Sequence, residues 1–461
     1  MNEATGAAVT EAVADDAVVG GEAVGEAELA VFHRIVGRLR ALPVDDPVRL
    51  RAEQVAASFA RDGRLRRRKA RGAEASAADA AAMAATATGA LERREDAPLA
   101  GPGAPGVFCK PRTCYVCKAP YRRVDSFYHL LCPRCAADNT ARRALSTDLS
   151  GRRVLLTGGR VKIGFQLALM MLRDGAELLV TSRFPHDTVR RFRAAPGSAR
   201  WLDRLTVLAV DLRDPRQVLG LCEDLRQQDR PLDILVNNAA QTVRRPPESY
   251  ALLAAGEHDT LPPGARQAPG FTPIGSLPGS ADSLPVALRE ADEAGLLPDP
   301  SPENSWSARL GTLDPAEVLE TQLVNALAPA LLCDRLLPLL LASPHPRRYV
   351  VNVTAVEGRF AVRNKTAGHP HTNMAKAALN MLTRTSAAEL AERGVHMCAV
   401  DTGWITDENP APKKARMADA GFRTPLDVVD GAARVYDPIV RGEAGDPVSG
   451  VFLKDYREAE W

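Results

Sequence analysis

The sequence predicts an α/β protein built on a doubly wound parallel sheet, preceded by a small four-cysteine unit and a helical segment. Three observations carry this. From Arg152 onward, short apolar runs alternate with amphipathic helical stretches, a pattern that lays strands side by side with helices on both faces. A glycine-rich turn, TGGRVKIG, joins the first of those runs to the first helix. Just upstream stand two Cys-x-x-Cys pairs, Cys114/Cys117 and Cys132/Cys135.

A chain of 461 residues is too long for one ordinary core, so two or three folded units are expected. Hydrophobic residues at 45% and charged residues at 25% describe a soluble globular protein, and a net charge of +2 gives no steering toward nucleic acid or membrane. No apolar run approaches the ~20 residues that cross a bilayer. Residues 1–25 are acidic and rich in small residues, without a basic start or apolar centre; they read as a disordered tail of a cytoplasmic protein, not a signal peptide. In that reducing compartment the eight cysteines are expected to be thiols or metal ligands instead of disulfides.

Residues 26–107 read as a helical segment and linker. Leu29, Phe32, Ile35, Val36 and Leu39 recur at helical spacing. A second helix starts at Asp45-Asp46-Pro47, an acidic N-cap with proline in the first turn, and runs toward Gly63. Its apolar face either buries locally or receives a partner protein. The basic run Arg64–Arg71 reads as a solvated face or linker, and Pro98–Gly106 as a linker.

Residues 108–140 form the four-cysteine unit. Each Cys-x-x-Cys turn aims two thiolates at one point, and fourteen residues lie between the pairs. Two facing knuckles make a tetrahedral thiolate site suited to zinc, with Cys114, Cys117, Cys132 and Cys135 as ligands and no open position for a catalytic water. Cys109 is spare, and Tyr115, Tyr121, Phe127 and Tyr128 are expected in the ribbon's small core.

In residues 150–461, the strands RVLLT, ELLVTSR, LTVLAVDLRD and LDILVNNAA set the frame, and the glycine turn places a pyrophosphate on the first helix's N-terminus. Further motifs follow in order. Thr157-Gly158 to Gly164 resembles the TGxxxGxG turn of the short-chain dehydrogenase/reductase family, with Lys162 at its middle glycine. Asn237-Asn238-Ala239-Ala240 resembles NNAG, Val350–Gly358 the serine strand, Thr402-Gly403 the Pro-Gly pair, and Ser449–Phe452 the last strand. This resemblance, from about Gly151 to the end, implies a Rossmann-type seven-stranded sheet and a nicotinamide cofactor. It places cofactor contacts at Gly158, Arg160, Lys162, Ile163, Gly164, Ser182, Arg183, Asp211, Leu212, Asn238, Ala239, Lys376, Thr402 and Gly403. NAD-preferring relatives carry an acid near Arg183; an arginine without one favours NADP, while a solvent-facing arginine is the alternative.

The family's Asn and Lys fall on Asn325 and Lys376, but its serine position is Ala355, with Thr354 beside it, and its tyrosine position is Thr372. A threonine hydroxyl cannot share a proton near neutrality as a phenol does. Two readings stay open. In one, His371, with His369 second, takes over the proton, and Thr354 or Thr372 orients the carbonyl. In the other the site is silent, and NADP serves a sensor or scaffold that acts through its zinc ribbon and helical arm. The stretch 241–312, rich in Pro, Gly and polar residues, is far longer than the family's connection and is expected to be a lid, with Trp306 as its anchor. The first reading is an NADP-dependent oxidoreductase moving hydride to or from a carbonyl or alcohol carbon. The resemblance also implies a homo-oligomer, and no nucleic-acid or membrane partner is expected.

Overall fold

The computed structural model describes residues 23–94, 97–99, 101, 103–273, 291–362 and 365–461. Most of the expected N-terminal tail, residues 1–22, therefore lies outside the described residues. The chain divides into two compact units, residues 1–75 and 76–461.

In the first unit, α1 (Glu26–Ala41) opens with the Gly25 N–H donating to Glu28 Oε2 at 2.9 Å. Asp46 Oδ1 caps the next helix, α2 (Pro47–Ala84), by accepting from the N–H groups of Val48 and Arg49; residues 76–84 of this helix belong to the second unit. Contrary to expectation, α2 does not stop at Gly63. The Arg, Lys and Ala residues that follow are strong helix formers, and one interior glycine costs only about 1 kcal/mol. The expected local burial of the apolar face is not seen either: Phe32 and Phe59 are 55% and 78% exposed.

The second unit begins its sheet structure with β1 (Gly106–Thr113) and β2 (Pro120–Val124), an antiparallel ribbon, followed by α3 (Pro133–Arg142), for which Cys132 is the N-cap. Then come β3 (Arg153–Leu156), α4 (Lys162–Arg173), β4 (Glu177–Ser182), α5 (Pro185–Ala194), β5 (Leu205–Ala209), α6 (Pro215–Gln227) and β6 (Ile234–Asn237). The long insertion supplies α7 (Ala251–Ala255) and β7 (Ala265–Gln267). After it follow α8 (Pro315–Gln322), α9 (Ala328–Leu341), β8 (Arg348–Thr354), α10 (Pro370–Glu392), β9 (Val395–Asp401), α11 (Ala411–Asp419), α12 (Val428–Glu443), β10 (Phe452–Lys454) and β11 (Arg457–Ala459).

The main sheet runs β11-β10-β9-β8-β6-β3-β4-β5-β7. Seven central strands, β5 to β10 in sheet order, are parallel, as the family pattern implies. Two three-residue edge strands are additional: β7 joins in parallel and β11 antiparallel. Three residues are too few to leave a periodic signal in sequence. Along β3 and β4, Val154, Leu156, Leu178 and Val180 point into one core, with α4 and α12, while Leu155 and Leu179 point into the other, with α6 and α9. This is the period-two alternation of a sheet covered on both faces. The continuous helical stretch Pro315–Leu341 is long and apolar enough to cross a membrane by composition, yet Leu332, Leu336 and Leu340 sit in the second core.

The cysteine ribbon packs into the same unit as the sheet. Phe108, Tyr121, Val124, Tyr128 and Leu131 share a cluster with Ile405, Leu426 and Val428. Arg143 donates to Asp427 at 2.6 Å and to Asp430 at 3.1 Å, and the Tyr128 hydroxyl donates to Asp430 at 2.6 Å.

Candidate active site

A cavity of about 900 Å³ lies beyond the carboxyl ends of β3, β4, β6, β8 and β9, where a parallel sheet of this kind holds its ligands. Every residue assigned above to the cofactor lines it, as does Thr354. The glycine turn leaves backbone room for an anion. Gly158 has φ +71°, and a Cβ there would sit 2.9 Å from Ala239 Cα; a Cβ on Gly164 would meet the Gly158 oxygen at 2.1 Å. Lys162, at the family's middle glycine, keeps the left-handed backbone with φ +54°. Its ammonium lies 3.8 Å from Glu408 Oε1. The first-turn N–H groups of α4 have no intrahelical acceptors, and with the helix dipole they suit a pyrophosphate.

At the end of β4, the Arg183 guanidinium lies 5.5 Å from the Phe184 ring centre and 5.4 Å from that of Tyr250. It forms no ion pair among the described residues. Its neighbours differ: Arg213 binds Asp211 at 2.6 Å, and Arg160 binds Asp187 at 2.7 Å. Burial works to raise the Asp211 pKa, but its bonds to Arg213 hold the carboxyl below the usual range. Arg183 thus offers the planar donor fork that a 2′-phosphate needs. The residues present fit an NADP molecule.

The other end is built by β8, α10 and β9. Gly358 lets α10 come close, since a Cβ there would stand 2.7 Å from Lys376 C. Lys376 is buried, and its ammonium donates to the Val353 oxygen at 2.9 Å. Burial lowers its pKa to about 8, against a smaller opposite pull from Glu357. Glu357 and Asp401 line the same wall, and burial raises Asp401 to about 6. Thr354 Oγ1 is buried and without a hydrogen-bond partner, an orphan hydroxyl at the cavity.

Three expected positions do not reach the cavity. His371 is fully buried with both ring nitrogens unpartnered, and Nε2 lies 3.6 Å from Glu317 Oε1, turned toward α8. Adjacent helical residues point ~100° apart, and the start of α10 turns His369 to the cavity instead. His369 stacks on Trp306 with ring centres 3.8 Å apart and planes at 9°, so Trp306 does anchor the insertion. His369 Nδ1 is 3.0 Å from the Trp306 oxygen, an acceptor only, which fixes the proton on Nδ1. Burial lowers the pKa of His369, so this imidazole is neutral near pH 7. Thr372 is also off the wall, its Oγ1 buried and unpartnered. Asn325, in a widened helical turn (Leu323–Leu327), spends its amide on the insertion: it accepts from Gln241 N at 2.7 Å and donates to Gln241 O at 2.8 Å.

The four-cysteine site comes together as the spacing implies. The sulfur atoms of Cys114, Cys117, Cys132 and Cys135 all lie within 4.8 Å of one another, and Cys117 and Cys132 are 3.7 Å apart. A tetrahedron with Zn–S near 2.3 Å has an edge of about 3.8 Å, so zinc fits. Sequence reasoning missed that this knuckle also borders the cavity: Tyr115 and Lys118 line it. Nothing in the local sequence marks that contact, because Tyr115 meets its partner Trp404 across 289 positions.

The parallel sheet order, the glycine turn after its first strand and the cavity beyond the carboxyl ends define a Rossmann-type fold. Family models described as short chain dehydrogenase and as enoyl-(acyl carrier protein) reductase match residues 152–253 and 301–426. An uncharacterized protein of Acanthamoeba polyphaga mimivirus is 30% identical over 347 residues, covering 71% of each chain. The C-signal protein of Myxococcus xanthus is 32% identical over 126 residues, 27% of this chain and 74% of that one. Among solved structures, a short chain dehydrogenase from Burkholderia cenocepacia in complex with NADP is 22% identical, covering 67% of this chain and 97% of that chain at a TM-score of 0.45. The chain belongs to the short-chain dehydrogenase/reductase family.

Proposed function

We propose that the protein is an NADP(H)-dependent oxidoreductase that moves hydride between the nicotinamide and a carbonyl or alcohol carbon, with a structural zinc ion in its cysteine knuckle. One observation carries this reading: a single cavity wall holds Arg183 after β4, the glycine turn after β3 and Lys376 beside β8. NADPH, when bound, would supply the hydride. The chain's own residues supply the rest. The Thr354 hydroxyl has no protein hydrogen-bond partner and belongs to a residue that lines the cavity, which makes it the candidate donor to the substrate oxygen. Lys376 has three N–H donors and gives one to Val353. With a pKa near 8 it is mostly protonated at neutral pH yet can release a proton there, so it can protonate the oxygen on reduction and accept the proton on oxidation. That is a task the family gives to tyrosine.

A second reading, a catalytically silent NADP sensor, draws on a separate observation. The serine position is Ala355, and the Thr372 hydroxyl is enclosed away from the cavity. NADPH consumption against aldehydes, ketones and enoyl thioesters separates the two. Turnover that Lys376→Ala abolishes supports the enzyme. Tight NADPH binding with no turnover on any member of the panel selects the sensor.

A further inference from the structure

The cysteine knuckle is fastened to the ligand cavity through one side chain. Tyr115 stands between Cys114 and Cys117, and its backbone N–H donates to the Leu130 oxygen at 2.8 Å, inside the turn that carries the second cysteine pair. Its hydroxyl accepts from the Trp404 N–H at 2.9 Å. That contact pins the segment Thr402–Thr406, all of which lines the cavity. Gly403 is held at φ +80°, and a Cβ there would stand 2.6 Å from Leu426 Cδ1 and 3.5 Å from the Tyr115 hydroxyl oxygen. The Lys454 ammonium lies 5.4 Å from the centre of the Tyr115 ring and 3.9 Å from Asp401 Oδ2. The Lys118 ammonium lies 5.1 Å from the centre of the same ring and donates to the Tyr115 backbone oxygen.

Within the knuckle, the Cys114 N–H donates to Ala119 O at 2.9 Å, the Lys118 N–H to Cys114 O at 3.1 Å, and the Cys132 N–H to Cys114 Sγ at 3.3 Å. The ribbon behind the knuckle has a buried cluster, but these few bonds are what join the two Cys-x-x-Cys turns to each other, so a metal ion on the four sulfurs would hold the turns in register. Losing that register would release Tyr115, and with it the Trp404 N–H. The segment it releases stands at the end of β9, beside Lys376 and Asp401, and away from Arg183 after β4 in the sheet order.

We propose that Tyr115 is a positioning residue of the ligand cavity: it holds the Thr402–Thr406 segment against the nicotinamide half of the dinucleotide, so that metal in the four-cysteine site sets the affinity for the whole cofactor. The inference rests on the NADP reading above for its ligand, but the link between knuckle and segment stands without it.

Two measurements on the full chain test it. The first compares Tyr115→Phe with the parent by calorimetric titration with NADPH and with 2′,5′-ADP, which lacks the nicotinamide half. The variant should keep one zinc per chain and keep its 2′,5′-ADP affinity within about two-fold. It should bind NADPH about 5- to 10-fold more weakly, the scale of one lost neutral hydrogen bond. Unchanged NADPH affinity, or equal losses for both ligands, overturns the proposal; equal losses would mark general loosening. The second follows amide hydrogen exchange in residues 402–406 of ligand-free protein before and after zinc is removed with a chelator. Exchange should speed up at least ~10-fold and return when Zn²⁺ is restored. Unchanged exchange in metal-free protein overturns the link. If the parent binds neither nucleotide, the NADP reading fails, and the exchange result alone decides the coupling.

Discussion

Burying Lys376 has a thermodynamic signature that can be read without substrate. Its folded pKa of about 8 lies below the 10.5 of an unperturbed lysine. The folded state therefore binds its proton less tightly than the unfolded state. The resulting penalty is fully present below pH 8 and disappears as pH rises from 8 through 10.5. A shift of this size corresponds to a penalty of about 3 kcal/mol at pH 7, falling to about 2 at pH 9. Lys376→Met removes the titrating group. It also leaves the Val353 oxygen without its donor, a loss of about 1–3 kcal/mol that does not depend on pH. The difference in unfolding free energy between variant and parent should therefore move by roughly 1 kcal/mol against the variant between pH 7 and pH 9. Urea unfolding of both ligand-free proteins at the two pH values measures it. A difference that stays constant, or moves the other way, would refute a depressed Lys376 and with it the assignment of proton transfer to that residue.

Arg183→Ala should weaken NADP binding ~10-fold or more and leave NAD binding nearly unchanged, because only the 2′-phosphate needs the guanidinium fork; equal losses in calorimetric titration would contradict this. Protein purified without added metal should carry close to one zinc per chain by elemental analysis, and less than about a tenth of an equivalent with the ribbon still ordered would remove the metal site. His371→Ala should lower the melting temperature by a few degrees through its buried volume and leave the pH profile of turnover in place, since the ring faces Glu317; a kcat loss of ~10²-fold with unchanged stability would restore His371 as the proton donor.

The glycine-turn end of the cavity was legible in the sequence because its residues act through local backbone. A turn needing positive φ at Gly158, an asparagine after β6 and a small-residue turn after β9 leave their signature at fixed spacing. The end beside Lys376 was less legible. Whether His369 or His371 meets the ligand depends on the rotation of α10 about its axis. That rotation follows from His369 taking a left-handed φ of +42° at the helix start and stacking on Trp306, sixty-three positions upstream. Spacing alone was enough to group the four cysteines, whose sulfurs the fold does bring together, whereas the docking of the knuckle on the cavity depends on long-range packing between Tyr115 and Trp404. Likewise Asn325 matched its motif in sequence, but the structure spends its amide on Gln241, at the start of the long insertion.

The central claim is that this cavity joins NADP(H) to a carbonyl or alcohol carbon with Lys376 beside it. Deuteride transfer tests it most directly. The metal-replete chain is incubated with NADPH carrying deuterium at the reactive nicotinamide carbon and with the carbonyl panel, and the products are examined by mass spectrometry. The account predicts one deuterium on the carbinol carbon of at least one product, absent with Lys376→Ala. Saturating NADPH binding with no deuterium in any product would contradict it and leave a dinucleotide sensor.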